Sequence, residues 1–187
     1  MNIKAIKFRR RREALTDYKK RFRLVKSGMD RIVIRKTNKR IIAHAVRYTE
    51  KGDQTLAYAD SSELKAFNWP SNSNRGTAYL TGMLLARKLK EKGSSTEYIL
   101  DIGITSPVKN SIPFVFAKGC ADAGVKIRGT FDMDSNIYDY SNTKYIQEMK
   151  SKDAEAYKKQ YSGLLEKKIE PEQMHKLFAE VKSRILK

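Results

Sequence analysis

The stretch DRIVIRKTNKRIIAHAVRYTE, residues 30–50, decides the fold. Two runs rich in β-branched residues, DRIVIRKT and KRIIAHAVRYTE, flank a short polar turn near Asn38, which is the pattern of a β-hairpin. Alternation places Ile32 and Ile34 on one face and Arg31, Val33 and Arg35 on the other. One face is expected to pack inward while the second keeps its cations available. After KGD, the run QTLAYAD, residues 54–60, reads as a third antiparallel strand.

Toward the C-terminus, SSELKAF is expected to form a short helix capped by Ser61 or Ser62. NWPSNSNRG is a loop by its Pro, Ser, Asn and Gly content. A longer helix is predicted from about Thr77 to Lys92, burying Leu80, Leu84 and Leu85 and ending at Gly93. EYILDIGI reads as a buried strand, SPVKNSIP as a turn, and the segment from about Pro113 to Ala123 as a helix stopped by Gly124. A meander followed by a crossover helix and a further strand implies an α/β fold, a mixed sheet flanked by helices. From about Thr143 the chain is charged and helical, with one apolar stripe at Tyr157, Tyr161, Leu164 and Leu165. Pro171 opens a final helix whose stripe is Met174, Leu177, Phe178, Val181 and Ile185. Both stripes are expected to fold back onto the domain or onto each other.

Toward the N-terminus stands KFRRRREALTDYKKRFRLVKSG, residues 7–28. Residues 1–12 have no sustained apolar period and read as a cationic arm. From Arg12 onward, Leu15, Tyr18, Phe22 and Val25 recur at helical spacing, with Lys19, Arg23 and Lys26 on a neighbouring face and Gly28 as the stop. Phe22, lying on the stripe, is expected to pack inward. The whole chain carries a formal charge of +18, and residues 1–40 hold 16 Lys or Arg against 3 acids, a net of +13. A solvated surface usually mixes its signs, so this concentration points to a polyanion as partner. Arginine forks match phosphate oxygens, and Phe8, Tyr18 and Phe22 interleave with the cations as stacking candidates for unpaired bases.

Other chemistries find less support. The chain has 187 residues and 40% hydrophobic content, enough for one core with extensions. Its apolar runs are far shorter than a membrane span, and the N-terminus lacks the apolar region of a secretory signal. The single cysteine, Cys120, at helical spacing from Phe116, is expected to be a small buried hydrophobe in a reducing compartment. With it, His44 and His175 do not make a zinc set, so no metal or cofactor is expected. No phosphate-binding glycine loop of the two usual spacings occurs. The main enzymatic alternative is a metal-dependent nuclease using Asp60, Asp101 and Asp122, although Asp101 equally suits a cap on a backbone turn. A basic membrane-surface or adaptor protein is a third reading, weakened by the few bulky apolar groups in residues 1–12.

RRRREALTDYKKRFRLVKSG, AYLTGMLLARK and LDIGITSPVKNSIPFVFAKGCADAG occur in that order and at suitable separations. Together they resemble the archaeal type of large-subunit ribosomal protein eighteen, over roughly residues 7–130. The resemblance implies a translational-machinery type of α/β domain and a non-enzymatic role in the cytoplasmic large ribosomal subunit. There the family binds 5S rRNA and helps attach it to 23S rRNA in the central protuberance. Neighbouring large-subunit proteins, including the other 5S-binding protein, are the implied protein partners, and no membrane is involved. The implied organisation is a basic arm and amphipathic helix (1–28), an RNA-binding α/β core (29–130) and a C-terminal helical extension (131–187). The family's basic segment maps onto Arg9, Arg10, Arg11, Arg12, Thr16, Tyr18, Arg21 and Arg23, and Lys19, Lys20 and Lys26 join them by charge. Arg35, Lys36, Lys39 and Arg40 of the hairpin are expected RNA contacts by charge and position, followed by Arg75 and Lys109 in the two polar loops.

Overall fold

A computed structural model of the chain describes residues 6–70, 72–94, 96–141 and 144–186. Met1 to Ala5 of the expected arm, and Thr143 at the expected start of the C-terminal helices, lie outside the described residues. Strands β1 (Asp30–Lys36), β2 (Ile41–Thr49), β3 (Gly52–Asp60) and β4 (Tyr98–Asp101) form a four-stranded sheet in the order β3-β2-β1-β4. The first three make an antiparallel meander, and β4 pairs with β1 in parallel, so the sheet is mixed as the crossover predicted.

The crossover is α3 (Arg75–Glu91), which lies between the sheet and two further helices, α4 (Ile112–Asp122) and α7 (Met174–Leu186). Neighbours on several sides explain why α3 is buried almost all round, from Gly76 through Ala86 and at Leu89. Ile32, Ile34, Ala43, Ala45, Ala57 and Ala59 form the inner face of the sheet, and the four alanines let α3 come close. On its other side α3 crosses α4 through glycine. A Cβ at Gly82 would overlap the carbonyl oxygen of Phe116, and one at Gly119 would overlap that of Tyr79. Cys120 is fully buried at this crossing, its Sγ 3.2 Å from the Gly82 carbonyl, and burial holds the thiol far above its ordinary range. It is the small buried hydrophobe expected.

The C-terminal stripe of α7 packs onto this body. Met174, Phe178, Val181 and Ile185 are all buried. Tyr79 stacks on Tyr138 at 4.3 Å between centroids, and Phe178 meets both rings at 5.6 and 6.2 Å. Helices α5 (Lys144–Lys152) and α6 (Ala154–Leu165) pack mainly on each other, with Tyr157 buried. Among the described residues no helix is long and apolar enough to cross a membrane.

Several expectations are corrected. One helical turn, α1 (Arg9–Arg12), lies within the expected cationic arm, and α2 runs only from Tyr18 to Lys26. Asp17 caps α2 by accepting from the Lys19 and Lys20 amides, so Leu15 lies outside it and is 51% exposed. Phe22, expected to pack inward, is 67% exposed, because Leu24 and Val25 form the half-buried side of the helix. Ser61–Phe67 is a 3-10 helix capped by Asp60, not by Ser61 or Ser62; Glu63 closes the reciprocal bond to the Asp60 amide. Arg31, expected to be available on the open face, is 2% exposed.

Candidate nucleic-acid interface

Arg31 is buried because two acids reach it. Its guanidinium lies 3.2 Å from Asp101 and 2.7 Å from Asp53. Simple alternation from Ala59 and Ala57 would put Asp53 on the inner face. Instead Ala45 pairs with Ala57 and Val46 with Thr55, so Leu56 is an extra residue that reverses the alternation. Asp53 thereby reaches the outer face, where it also accepts from Arg21 at 3.0 Å. Asp101 receives the Gly103 amide at 2.8 Å, the turn cap foreseen for it, and stands 3.4 Å from Arg35.

This cluster docks α2 on the outer face. Arg21 binds Asp53, and the Lys20 ammonium donates to the Gly103 carbonyl at 2.9 Å. Gly103 adopts φ +63, and a Cβ there would come within 2.9 Å of the Arg35 guanidinium carbon, so glycine suits both the turn and the approach. The arm is tied in by Arg10, which donates to Thr16 Oγ1 at 2.9 Å, and by Phe8 against Tyr18 at 5.5 Å.

Tethering thus engages Arg10, Lys20, Arg21 and Arg35. The others remain outward: Arg9, Arg11, Arg12, Lys19, Arg23 and Lys26 are exposed and form no ion pair among the described residues. Phe8 and Phe22 stand among them, 74% and 67% exposed. At the open sheet face His44 packs on Tyr58 at 5.0 Å. Burial, followed by the charge of Arg35, holds the imidazole below its ordinary 6.5, so it is a neutral ring at pH 7.

Nine of the predicted residues line three clefts. Arg10, Thr16, Lys20, Arg21 and Arg35 line one small cleft between the arm and the sheet. Lys39 and Arg40 line another, of about 470 Å³, with Lys65 and Lys167. Lys36 and Arg75 share a third. Lys109 is exposed in the loop before α4. Sequence reading missed Lys65 and Lys167; each is one charge among many, and only the fold carries them to the hairpin tip.

A family model described as "Ribosomal large subunit proteins 60S L5, and 50S L18" matches residues 4–99, just over half of the chain. The chain belongs to this family. It is a structural constituent of the large ribosomal subunit, an rRNA-binding component of the translation machinery in the cytoplasmic ribosome. Ribosomal RNA and other ribosomal proteins are its partners by membership, which implies a structural role in place of catalysis.

The nuclease alternative is not supported by the geometry of this ribosomal protein. Asp60 ends β3 and Asp101 ends β4, at opposite edges of the sheet, and Asp122 ends α4. Each serves a different local structure: Asp60 the cap and Tyr58, Asp101 the Arg31 cluster, Asp122 the Tyr79 hydroxyl and Lys118. Among the described residues no three His, Cys, Asp or Glu side chains gather as a metal site requires.

Proposed function

We propose that this ribosomal protein binds 5S rRNA and helps attach it to 23S rRNA in the central protuberance, beside the other 5S-binding protein. The observation that carries the reading is the division of labour in residues 9–26. Arg21 and Lys20 hold α2 to the sheet, while Arg9, Arg11, Arg12, Lys19, Arg23 and Lys26 face outward without ion-pair partners among the described residues. A docked helix presents its cations in a fixed array, so phosphate spacing in a folded RNA can be matched with little ordering cost. Phe8, Phe22 and Tyr18 add faces for unpaired bases. Lys36, Lys39, Arg40, Arg75 and Lys109 extend the contact to a second stretch of RNA. In this reading residues 1–28 face the RNA, 29–130 form the core that aims them, and 131–187 are the helical extension.

The test is filter binding of 5S rRNA against an unrelated structured RNA of equal length. The expected result is a preference for 5S rRNA. With about 6–10 phosphates neutralised, affinity should fall by about three to five orders of magnitude between 50 and 200 mM salt. Replacing Arg9 to Arg12 with alanine should weaken 5S binding strongly and leave core unfolding nearly unchanged, since none of the four is buried. Equal affinity for the two RNAs, or an unaltered affinity in that variant, refutes the reading.

A further inference from the structure

A cleft of about 660 Å³ opens between the N-terminal ends of α3 and α4, within the roughly 300–1,000 Å³ range of small-ligand sites. Pro113, Ile112, Ile137 and Tyr138 supply an apolar wall, and Lys36 and Arg75 stand on it as well. Both cations are exposed and without ion-pair partners among the described residues. The structure places them together: Ser73, just before α3, donates to the Thr37 carbonyl of the hairpin at 2.8 Å.

Buried polar atoms at this cleft lack partners. The Ser111 Oγ on the cleft, and Asn110 Oδ1 beside it in the chain, have no hydrogen-bond partner among the described residues. Ser111 occupies the cap position of α4, yet its hydroxyl does not close on the first-turn amides. A buried hydroxyl left unpaired costs stability, so Ser111 marks a place where a bound group would complete the bonding. The helix ends add to this. Asn74 accepts from the Thr77 amide, which leaves the first amides of α3 without intrahelical partners, and helices of 17 and 11 residues both direct the positive ends of their dipoles here. Gly76 belongs to the same design: a Cβ there would run into the Tyr140 ring, which lies against the first turn of α3.

We propose that this cleft receives a single nucleotide extruded from ribosomal RNA. The base lies along the Pro113, Ile137 and Tyr138 wall, and the phosphate sits by Lys36, Arg75 and the two helix ends. Charge complementarity selects this occupant, because an apolar peptide would leave both cations and both helix ends uncompensated. A flat base beside an anionic group fits an apolar wall next to a cationic rim. The assignment rests on the rRNA-binding role and deepens it from a basic surface to a built nucleotide site.

The test uses intact large subunits carrying this chain, cross-linked with ultraviolet light, with peptide–oligonucleotide adducts mapped by mass spectrometry. The expected result is a nucleotide adduct on the peptide containing Tyr138 and Tyr140. Thr105 is exposed on the cleft. Thr105→Trp should fill the cleft from its rim and reduce that adduct about tenfold or more, leaving adducts of the arm and thermal unfolding unchanged. Lys36→Glu with Arg75→Glu should lower the salt slope of RNA binding by about 1, for the one phosphate no longer neutralised. Cleft peptides free of nucleotide while arm peptides carry RNA overturn the proposal, as does a neighbouring protein's peptide joined there instead. The RNA found on arm peptides separately decides the 5S reading: 23S fragments alone would refute that reading while leaving the nucleotide site standing.

Discussion

Replacing Gly82 with alanine tests the packing of the whole molecule with one methyl group. In an isolated helix the change stabilises by about 1 kcal/mol, since glycine is a poor helix former. Here the added Cβ would overlap the Phe116 carbonyl oxygen and lie 3.1 Å from the Cys120 amide nitrogen, both of them backbone of α4. Helix α3 has no room to retreat, because its other side is packed on β2 and β3. A separation of about 1 Å at the crossing forfeits roughly a third of the dispersion well for every atom pair across it. With some 30 pairs at about 0.15 kcal/mol each, that is roughly 1.5 kcal/mol. Strain in a core already filled adds about 1–3 kcal/mol. After the helix gain is subtracted, Gly82→Ala should destabilise by about 1.5–3.5 kcal/mol. Urea unfolding should show a lower midpoint at unchanged slope, and the thermal midpoint should drop by about 3–14 °C. Gly163, near the end of α6, is the control, since a Cβ added there would meet no atom within 4 Å. Gly163→Ala should be neutral or stabilising by up to about 1 kcal/mol. A Gly82→Ala protein as stable as its parent would refute the account of the crossing.

Cys120 should resist alkylation in the native protein and react only on unfolding, because burial both excludes reagent and raises its thiol pKa; quantitative labelling under native conditions contradicts this. Asp101→Ala removes one of two acids beside the buried Arg31 and should destabilise by about 3 kcal/mol, with faster amide exchange in α2 as its Gly103 anchor loosens; exchange unchanged in α2 would dissociate the helix from the cluster. Burial alone would raise the Asp60 carboxyl, but bonds from Ser62 and Tyr58 and the charge of Arg40 reverse this and hold it below its ordinary 3.8. Its contribution is therefore fully present above pH about 4 and lost as pH falls through the lowered value, so Asp60→Asn, which keeps a capping side chain, should show a shallower acid loss in urea midpoints measured across that range.

The strands were legible because strand alternation and β-branched content act locally: Ile32, Ile34, Ala43 and Ala45 face inward as their spacing requires. The crossover and its parallel partner followed from connection rules. Helix α2 begins later than its apolar spacing implies, because that spacing runs back through Leu15 whereas the capping carboxylate of Asp17 sets the boundary. The cap is visible in the sequence but is outweighed there by the stripe. Arg31 departs from expectation for a different reason. Alternation assigns a side of the sheet but not a depth, and its two acids come from residues 53 and 101. The glycine crossing of α3 and α4 is equally hidden, since neither glycine reports which backbone will lie against it.

By itself the sequence determined that the protein carries its charge excess in the first forty residues and that a hairpin follows, and it pointed to a polyanion as the counterpart. Charge and alternation are sums over neighbours in the chain, so they survive without coordinates. Only the tertiary structure decided which cations are tethers and which are offered outward, and that Lys36 and Arg75 meet at one cleft. Pairing depends on separations of a few ångströms between residues far apart in sequence, and a single extra residue at Leu56 was enough to move Asp53 across the sheet and change the partners of Arg21 and Arg31.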